Sequence, residues 1–461
     1  MIEVQEASLQ SMLEKAINEA KQNHTARIMS MTKQINKADP IAFIGAGENL
    51  SMDRGFWGST SEGFYIAGVG CAHEITAGSN RMDEAEKSWQ KLRDEAIIHN
   101  PYKKPGTGLV TMGGMSFDPL SQRTSLWNNF PPLSLTVPEI VLTRSAENCY
   151  LTINVKVNGI DKASEITQRL NKLERSLLTH SSALPDDVTI EKKQEVDPES
   201  WKQTVRHATE FIKANKADKI VLARKLLVKL SDKSAVSTIL YNLIEQQPNS
   251  YVFAFERNGD CFLGASPERL IKQEQEEVLS TCLAGTAPRG QTKEEDEQIA
   301  QSLLHDEKNR SEHEFVVKMI RQSMVHYCRA VNIPDNPVIY PLKNLQHLYT
   351  PVKAVLKEKH SIFDIIDKLH PTPALGGVPT EESLAFIREH EQLDRGWYGA
   401  PVGWMDSNLH GEFAVAIRSG LIQEKQASLF AGCGIVRDSD PDEEYKETGI
   451  KFMPMLSVLG G

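Results

Sequence analysis

The chain has 461 residues, 40% hydrophobic and 25% charged, with 62 acidic against 52 basic side chains and a formal charge of −10. That length buries a large core, as one big domain or two ordinary ones. An acidic balance without a long basic stretch argues against nucleic acid and anionic membrane as partners, yet allows a small anionic substrate in a locally positive cleft.

The N-terminus, MIEVQEASLQSMLEKAINEA, is a polar helical pattern without the apolar core of a signal peptide. No apolar run approaches the ~20 residues that span a bilayer. The six cysteines (71, 149, 261, 282, 328 and 433) lack regular spacing and read as reduced, mostly buried thiols. The expected location is cytoplasmic.

From Ala42 to Val157 short strands alternate with glycine: AFIGAG, FYIAGVG, GLVTMGG, IVLTRS and YLTINVKV. GAGEN at Gly45 lacks the GxGxxG spacing of a nucleotide loop and reads as a β-turn. A helical segment from Lys162 runs into the polar connector SSALPDDVTIEKKQEVDPES, the best candidate boundary, giving a β-rich region 1–195 that does not fold independently and a catalytic region 196–461. Beyond it lie a helix from Trp201 to Ala214, the alternating strand KIVLARKLLVKL, and a hairpin turned at Asn258-Gly259. Helix is expected from Glu294 to Val331, from Ile362 to Leu369 and from Thr380 to His390. The strands GEFAVAIRSGLI and ASLFAGCGIV precede a final helix. Strands and helices come in runs, so the fold class is α+β rather than doubly wound.

The final helix opens with Asp440 as N-cap, Pro441 at its first position and Glu443 three residues after the cap. Glu444, Glu447 and Lys451 then share one face, which alone is a solvated face with an ion pair. In RSEHEFVVKMIRQ, Glu312 is expected on the same face as Val316, Met319 and Ile320, where a carboxylate needs an arginine or a cation such as Mg²⁺. A zinc site at His313-Glu314 fails for want of the second histidine of HExxH. In GEFAVAIRSG, strict alternation sets Ala414, Ala416 and Arg418 on one face, leaving space for a carboxylate beside the arginine. The glycines of Ala431-Gly432-Cys433-Gly434 either bend a strand end or let backbone N–H groups approach an anion. Lys219 at a strand start and Glu268 after a proline are not diagnostic alone. The residues together point to an anion-binding cleft in the C-terminal half with a possible Mg²⁺ site.

KIVLAR, GASPERL, LAGTAPRG, DEKNRSEHE, HPTPALGG, GWYGAPVGW, FAVAIRSG, FAGCGIV and EEYKETGIK, from about Lys219 to Leu456, resemble the chorismate-utilising enzymes in order. The resemblance implies a large two-lobed fold of β-sandwich-like sheets flanked by helices, with the active site between β-layers. It implies Mg²⁺ held by Glu312 and Glu447 with Glu444 close by. Chorismate would be bound by Gly285, Thr286, Ala374, Leu375, Tyr398, Arg418, Gly432, Gly434 and Lys451. Lys219 resembles the general base that activates water, where ammonia-using relatives carry glutamine. Glu268 resembles the general acid for the departing C4 hydroxyl. Ala284 in LAGT and Ala374-Leu375 in HPTPALGG depart from the lysine and threonine of amine-using and lyase-competent relatives. The implied activity is isochorismate synthase of the menaquinone type, a monomer or weak dimer without a glutaminase subunit. Salicylate synthase, a siderophore-pathway isochorismate synthase and a non-catalytic binding protein are the alternatives. The acid and base roles require a glutamate pushed up by burial or carboxylates, and a lysine pushed down by burial or cations.

Overall fold

A computed structural model describes residues 2–179, 188–233, 235–342 and 345–461. The strands of the described residues form two large sheets. The first, in spatial order, carries Ile190–Glu195, Lys219–Leu230, Gln426–Ile435, Ser419–Gln423, Asp260–Ser266, Tyr251–Arg257, Arg54–Ser59, Phe64–Val69, Ile140–Ser145, Asn148–Val157, Arg27–Ile35 and Ile97–His99. The second runs Cys328–Asn332, Leu345–Leu356, Glu277–Pro288, Arg269–Glu274, His410–Val415, Pro401–Asp406, Val110–Met115, Leu133–Val137 and His73–Ala77.

Alternation along these strands gives each sheet two apolar faces, and the chain buries both. Between the sheets lies an aromatic core of Trp57, Trp127, Phe253, Phe262, Trp397, Trp404 and Phe430, drawn from both sheets and the loops between them. Helices cover the outer faces. Phe452 and Leu456 of Pro441–Val458 pack on the first sheet, as Ile320 and Met324 of Glu307–Val325 do on the second. The α+β architecture is as expected, and each sheet is built from strands on both sides of residue 195.

Several elements follow local chemistry directly. Asn258 and Gly259 turn their hairpin with φ of 50° and 86°, the pair of positive values a two-residue turn needs. Asp440 accepts from the N–H groups of Asp442 and Glu443, and Pro441 occupies the first position.

Other expectations are corrected. AFIGAG is not a strand and GAGEN is not a β-turn: both lie in the helix Pro40–Asn49, whose cap Asp39 accepts from Ile41 and Ala42 N–H. The helix from Glu294 to Val331 is two, Lys293–His305 and Glu307–Val325, broken where extended Asp306 caps the second through Asn309 N–H, and Val331 belongs to a strand. Residues 180–187 of the polar connector lie outside the described residues. Its later part is the strand Ile190–Glu195, paired with Lys219–Leu230, so the candidate boundary runs through a sheet.

We propose that regions 1–195 and 196–461 do not fold separately, because each lacks part of the aromatic core. Residues 196–461 expressed alone should be insoluble or melt without cooperativity; a soluble fragment with a cooperative melt would sink the proposal.

Candidate active site

The chain passes between the sheets twice at one place. Asp260–Ser266 lies in the first sheet and Arg269–Glu274 in the second, so Glu268 sits on the crossing. His410–Val415 lies in the second sheet and Ser419–Gln423 in the first, so Arg418 sits on the return. GEFAVAIRSGLI is therefore two strands, and strict alternation does not carry through to Arg418, whose φ is 52°. The crossings are bonded together: Val415 N–H donates to Glu268 O at 3.0 Å and Ala265 N–H to Arg418 O at 3.2 Å.

Burial pushes the Glu268 carboxyl up to about 7, and Arg418 opposes that rise only in part. Burial pulls Arg418 down, opposed by Tyr398, Glu268 and Glu447. Among the described residues its guanidinium makes no hydrogen bond and no ion pair. A cation so placed favours an anion in the space it faces.

On the first sheet, Lys219 opens its strand and pairs with Glu312 Oε1 at 2.9 Å. Gly434 leaves space for it: a Cβ there would lie 2.4 Å from Lys219 Cε. At Gly432 a Cβ would come within 3.0 Å of Leu222 O and 3.3 Å of Tyr398 Oη. Lys451 donates to Gly432 O at 2.9 Å and to Glu447 Oε1 at 2.6 Å. The neighbouring strand Ser419–Gln423 begins opposite Phe430, so the glycines lie beyond the end of that pairing. Buried Tyr398 stacks on Phe430.

On the second sheet, Gly285 occupies a bulge with φ of 76°, and Thr286 N–H donates to Asn309 Oδ1 at 3.3 Å. Thr286 Oγ1 lies 2.9 Å from His347 Nδ1. Burial, then Arg418, lowers His347 to about 4, so its ring is neutral at working pH. The turn holding Ala374 and Leu375 is brought to the first sheet by Gly377–Val378, which pairs with Lys219 and Ile220.

Glu312 is not on the apolar face of its helix. It is 48% exposed, and the buried residue is its neighbour His313. His313 Nδ1 donates to Ala284 O at 3.0 Å, while Nε2 is 2.7 Å from Thr350 Oγ1, bolting the helix to two strands. One residue is about 100° of helix, enough to turn Glu312 from the core towards Lys219. Glu444 accepts from Ser439 Oγ at 2.7 Å. Glu312, Glu444 and Glu447 are thus not gathered into one cluster. Sequence reasoning missed His347, Asn309 and His313; the apolar spacing of Ile320 and Met324 would have found only His313.

A family model described as chorismate binding enzyme matches residues 15–460. The chain belongs to the chorismate-binding enzyme family. It is 41% identical over 97% of its length, and 96% of the relative's, to the isochorismate synthase MenF of Bacillus subtilis. It is 34% identical to the salicylate biosynthesis isochorismate synthase of Pseudomonas aeruginosa over 98% of this chain and 95% of that one. The menaquinone-specific isochorismate synthase of Escherichia coli has the same fold, with a TM-score of 0.80, 22% identity and coverage of 97% of this chain and 100% of that one.

The family's chemistry bears on the two carboxylates. Glu312 and Glu447 are half-exposed hard oxygen donors, each with one oxygen on a lysine. Mg²⁺ takes one or two carboxylates and fills its other positions with water and substrate, so the pair fits it without a third protein ligand. Among the described residues no group of three or more His, Cys, Asp or Glu is close enough to hold a metal.

Gly434→Ala would displace a flexible lysine side chain rather than backbone. Its melting temperature should change little while turnover of chorismate falls at least about tenfold. Unchanged turnover would mean the position of Lys219 is immaterial.

Proposed function

We propose that this protein is a magnesium-dependent isochorismate synthase, an isomerase that converts chorismate to isochorismate for menaquinone formation. The observation that carries the reading is Arg418, a guanidinium between the sheets with no carboxylate partner among the described residues, beside a Glu268 whose carboxyl stays protonated up to about pH 7. An unneutralised cation beside a protonated acid suits an anionic substrate that must lose a hydroxyl as water.

In this reading Arg418, Tyr398 and the backbone at Gly432 and Gly434 hold the enolpyruvyl carboxylate, with Lys451 adjoining. Gly285, Thr286, Ala374 and Leu375 line the remaining space. Glu312 and Glu447 hold Mg²⁺, with Glu444 close by. When bound, the cation supplies neutralisation of the ring carboxylate and a second partner for Glu312. Lys219 Nζ, once it has released its ammonium proton to solvent, takes a proton from water as the oxygen bonds to C2. The ring's π electrons shift towards C4, the C4–O bond breaks, and Glu268 protonates the departing hydroxyl. Water enters and water leaves, so the net change is an isomerisation.

Full-length likeness to the Bacillus enzyme supports the menaquinone assignment. The Pseudomonas relative, named for salicylate biosynthesis, keeps supply of a siderophore-type pathway as the second reading. Ala374, where lyase-competent relatives have threonine, favours release of isochorismate without pyruvate.

Purified protein incubated with chorismate, with and without Mg²⁺, should give isochorismate only with the metal and no pyruvate. Salicylate with pyruvate would replace this reading by salicylate synthase, and no conversion would leave a binding protein. Glu268 is protonated below about 7 and ionised above it, so turnover should fall as pH rises through that value, about tenfold per unit beyond it. A rate that keeps rising from pH 7 to 9 would remove Glu268 as the acid. Truncating one partner of a buried charged pair costs about 2–5 kcal/mol, so Arg418→Ala should lower kcat/KM roughly 30-fold or more. A fall under about threefold would put the carboxylate elsewhere.

A further inference from the structure

The strand that begins with Lys219 has a gap along its outer edge. Gly377–Val378 pairs with Lys219 and Ile220, and Ile190–Glu195 takes over only from Leu226. Between them the backbone is served by side chains. Ala223 N–H donates to Glu391 Oε2 at 2.7 Å, and Val221 O accepts from Arg395 Nη2 at 2.7 Å. Arg395 and Glu391 are 4% and 2% exposed and joined through two hydrogen bonds, Nε to Oε1 at 2.6 Å and Nη2 to Oε2 at 2.8 Å.

The same guanidinium reaches the turn opposite, donating from Nη1 to Leu375 O at 3.0 Å. Its own backbone carbonyl accepts from Tyr398 N–H at 2.8 Å. Its face lies 4.3 Å from the Phe117 ring centre, and Phe117 O accepts from His370 Nε2 at 2.8 Å, at the start of HPTPALGG. One buried side chain thus ties the strand of Lys219 to the turn of Ala374 and Leu375, while the backbone carbonyl of the same residue holds Tyr398.

We infer that the side chain of Arg395, oriented by Glu391, is a positioning group that fixes the base strand against the Ala374–Leu375 turn, and so sets where Lys219 stands relative to bound substrate. The inference rests on the isochorismate synthase reading. Arg395 acts through the backbone carbonyls of Val221 and Leu375, and Glu391 through the Ala223 N–H. Lysine cannot replace it, since a single ammonium lacks the planar fork that serves Glu391, Val221 and Leu375 at once. Holding the fold together does not require charge here, because buried ion pairs exchanged for apolar residues of similar volume commonly leave stability unchanged or raised.

That difference supplies the test. Arg395→Lys and the double variant Arg395→Met/Glu391→Leu are assayed beside wild type for kcat, KM for chorismate and thermal melting. Arg395→Lys should lose about 10- to 100-fold in kcat with KM within about threefold of wild type. The double variant should melt cooperatively near the wild-type temperature and stay at least about tenfold down in kcat. Wild-type kcat in either folded variant overturns the inference, as does loss of activity that merely follows loss of folded protein in both. Should Arg395→Lys not fold, the double variant alone decides. Wild type failing to turn over chorismate would instead overturn the functional reading.

Discussion

Everything at this site depends on two sheet crossings that occur side by side. A strand leaving one sheet for the other must break its alternation, and the residues at the break are released from both ladders. Here those residues are Glu268 and Arg418, and the hydrogen bonds between the crossings keep them together. Because the crossings belong to strands buried in both sheets, an acid and a cation are held rigidly where loops alone would leave them mobile. The helices carrying Glu312 and Glu447 lean on the same sheets from outside, so in the proposed reading the cleft has carboxylates and lysines on its rim and Glu268 with Arg418 at its floor.

Charge is distributed unevenly across that arrangement. At the rim each lysine has its carboxylate, at distances of 2.9 and 2.6 Å. At the floor Arg418 has none among the described residues. Solvated pairs at the rim exchange partners cheaply, whereas the floor cannot be neutralised by small adjustments of the chain. The neutral ring of His347 beside Arg418 adds a polar partner without adding charge.

Much of this was legible in the sequence where local chemistry decides. Asp440-Pro441 starts its helix and Asn258-Gly259 turns its hairpin without help from distant contacts. The helix at Pro40 was missed although Asp39-Pro40 is a start signal of the same kind as Asp440-Pro441; its apolar, glycine-rich composition reads as strand. Arg418 was singled out for a sound chemical reason but with the wrong geometry, since no local period records a change of sheet. Glu312 was assigned to the buried face one residue out of phase, because His313 does not look apolar although it is the residue packed inside. The resemblance brought together residues that spacing could not, Lys219 and Glu268 above all. Arg395 and Glu391 carried no signal, because their partners are backbone atoms of distant segments.

The ion pairs at the rim have a consequence for how ligands arrive. Lys219, Lys451 and Arg418 set three positive charges against the two negative charges of Glu312 and Glu447, so these five side chains together carry one positive unit. In the proposed reading, a substrate with two carboxylates and a divalent cation, entering together, would leave that total unchanged, while either alone would shift it by two units in a space partly closed to water. Each ligand would then raise the affinity for the other, and by reciprocity the coupling would be equal in both directions. On that reading the unliganded protein is a nearly balanced site built to take up an ion and its counterion as a set.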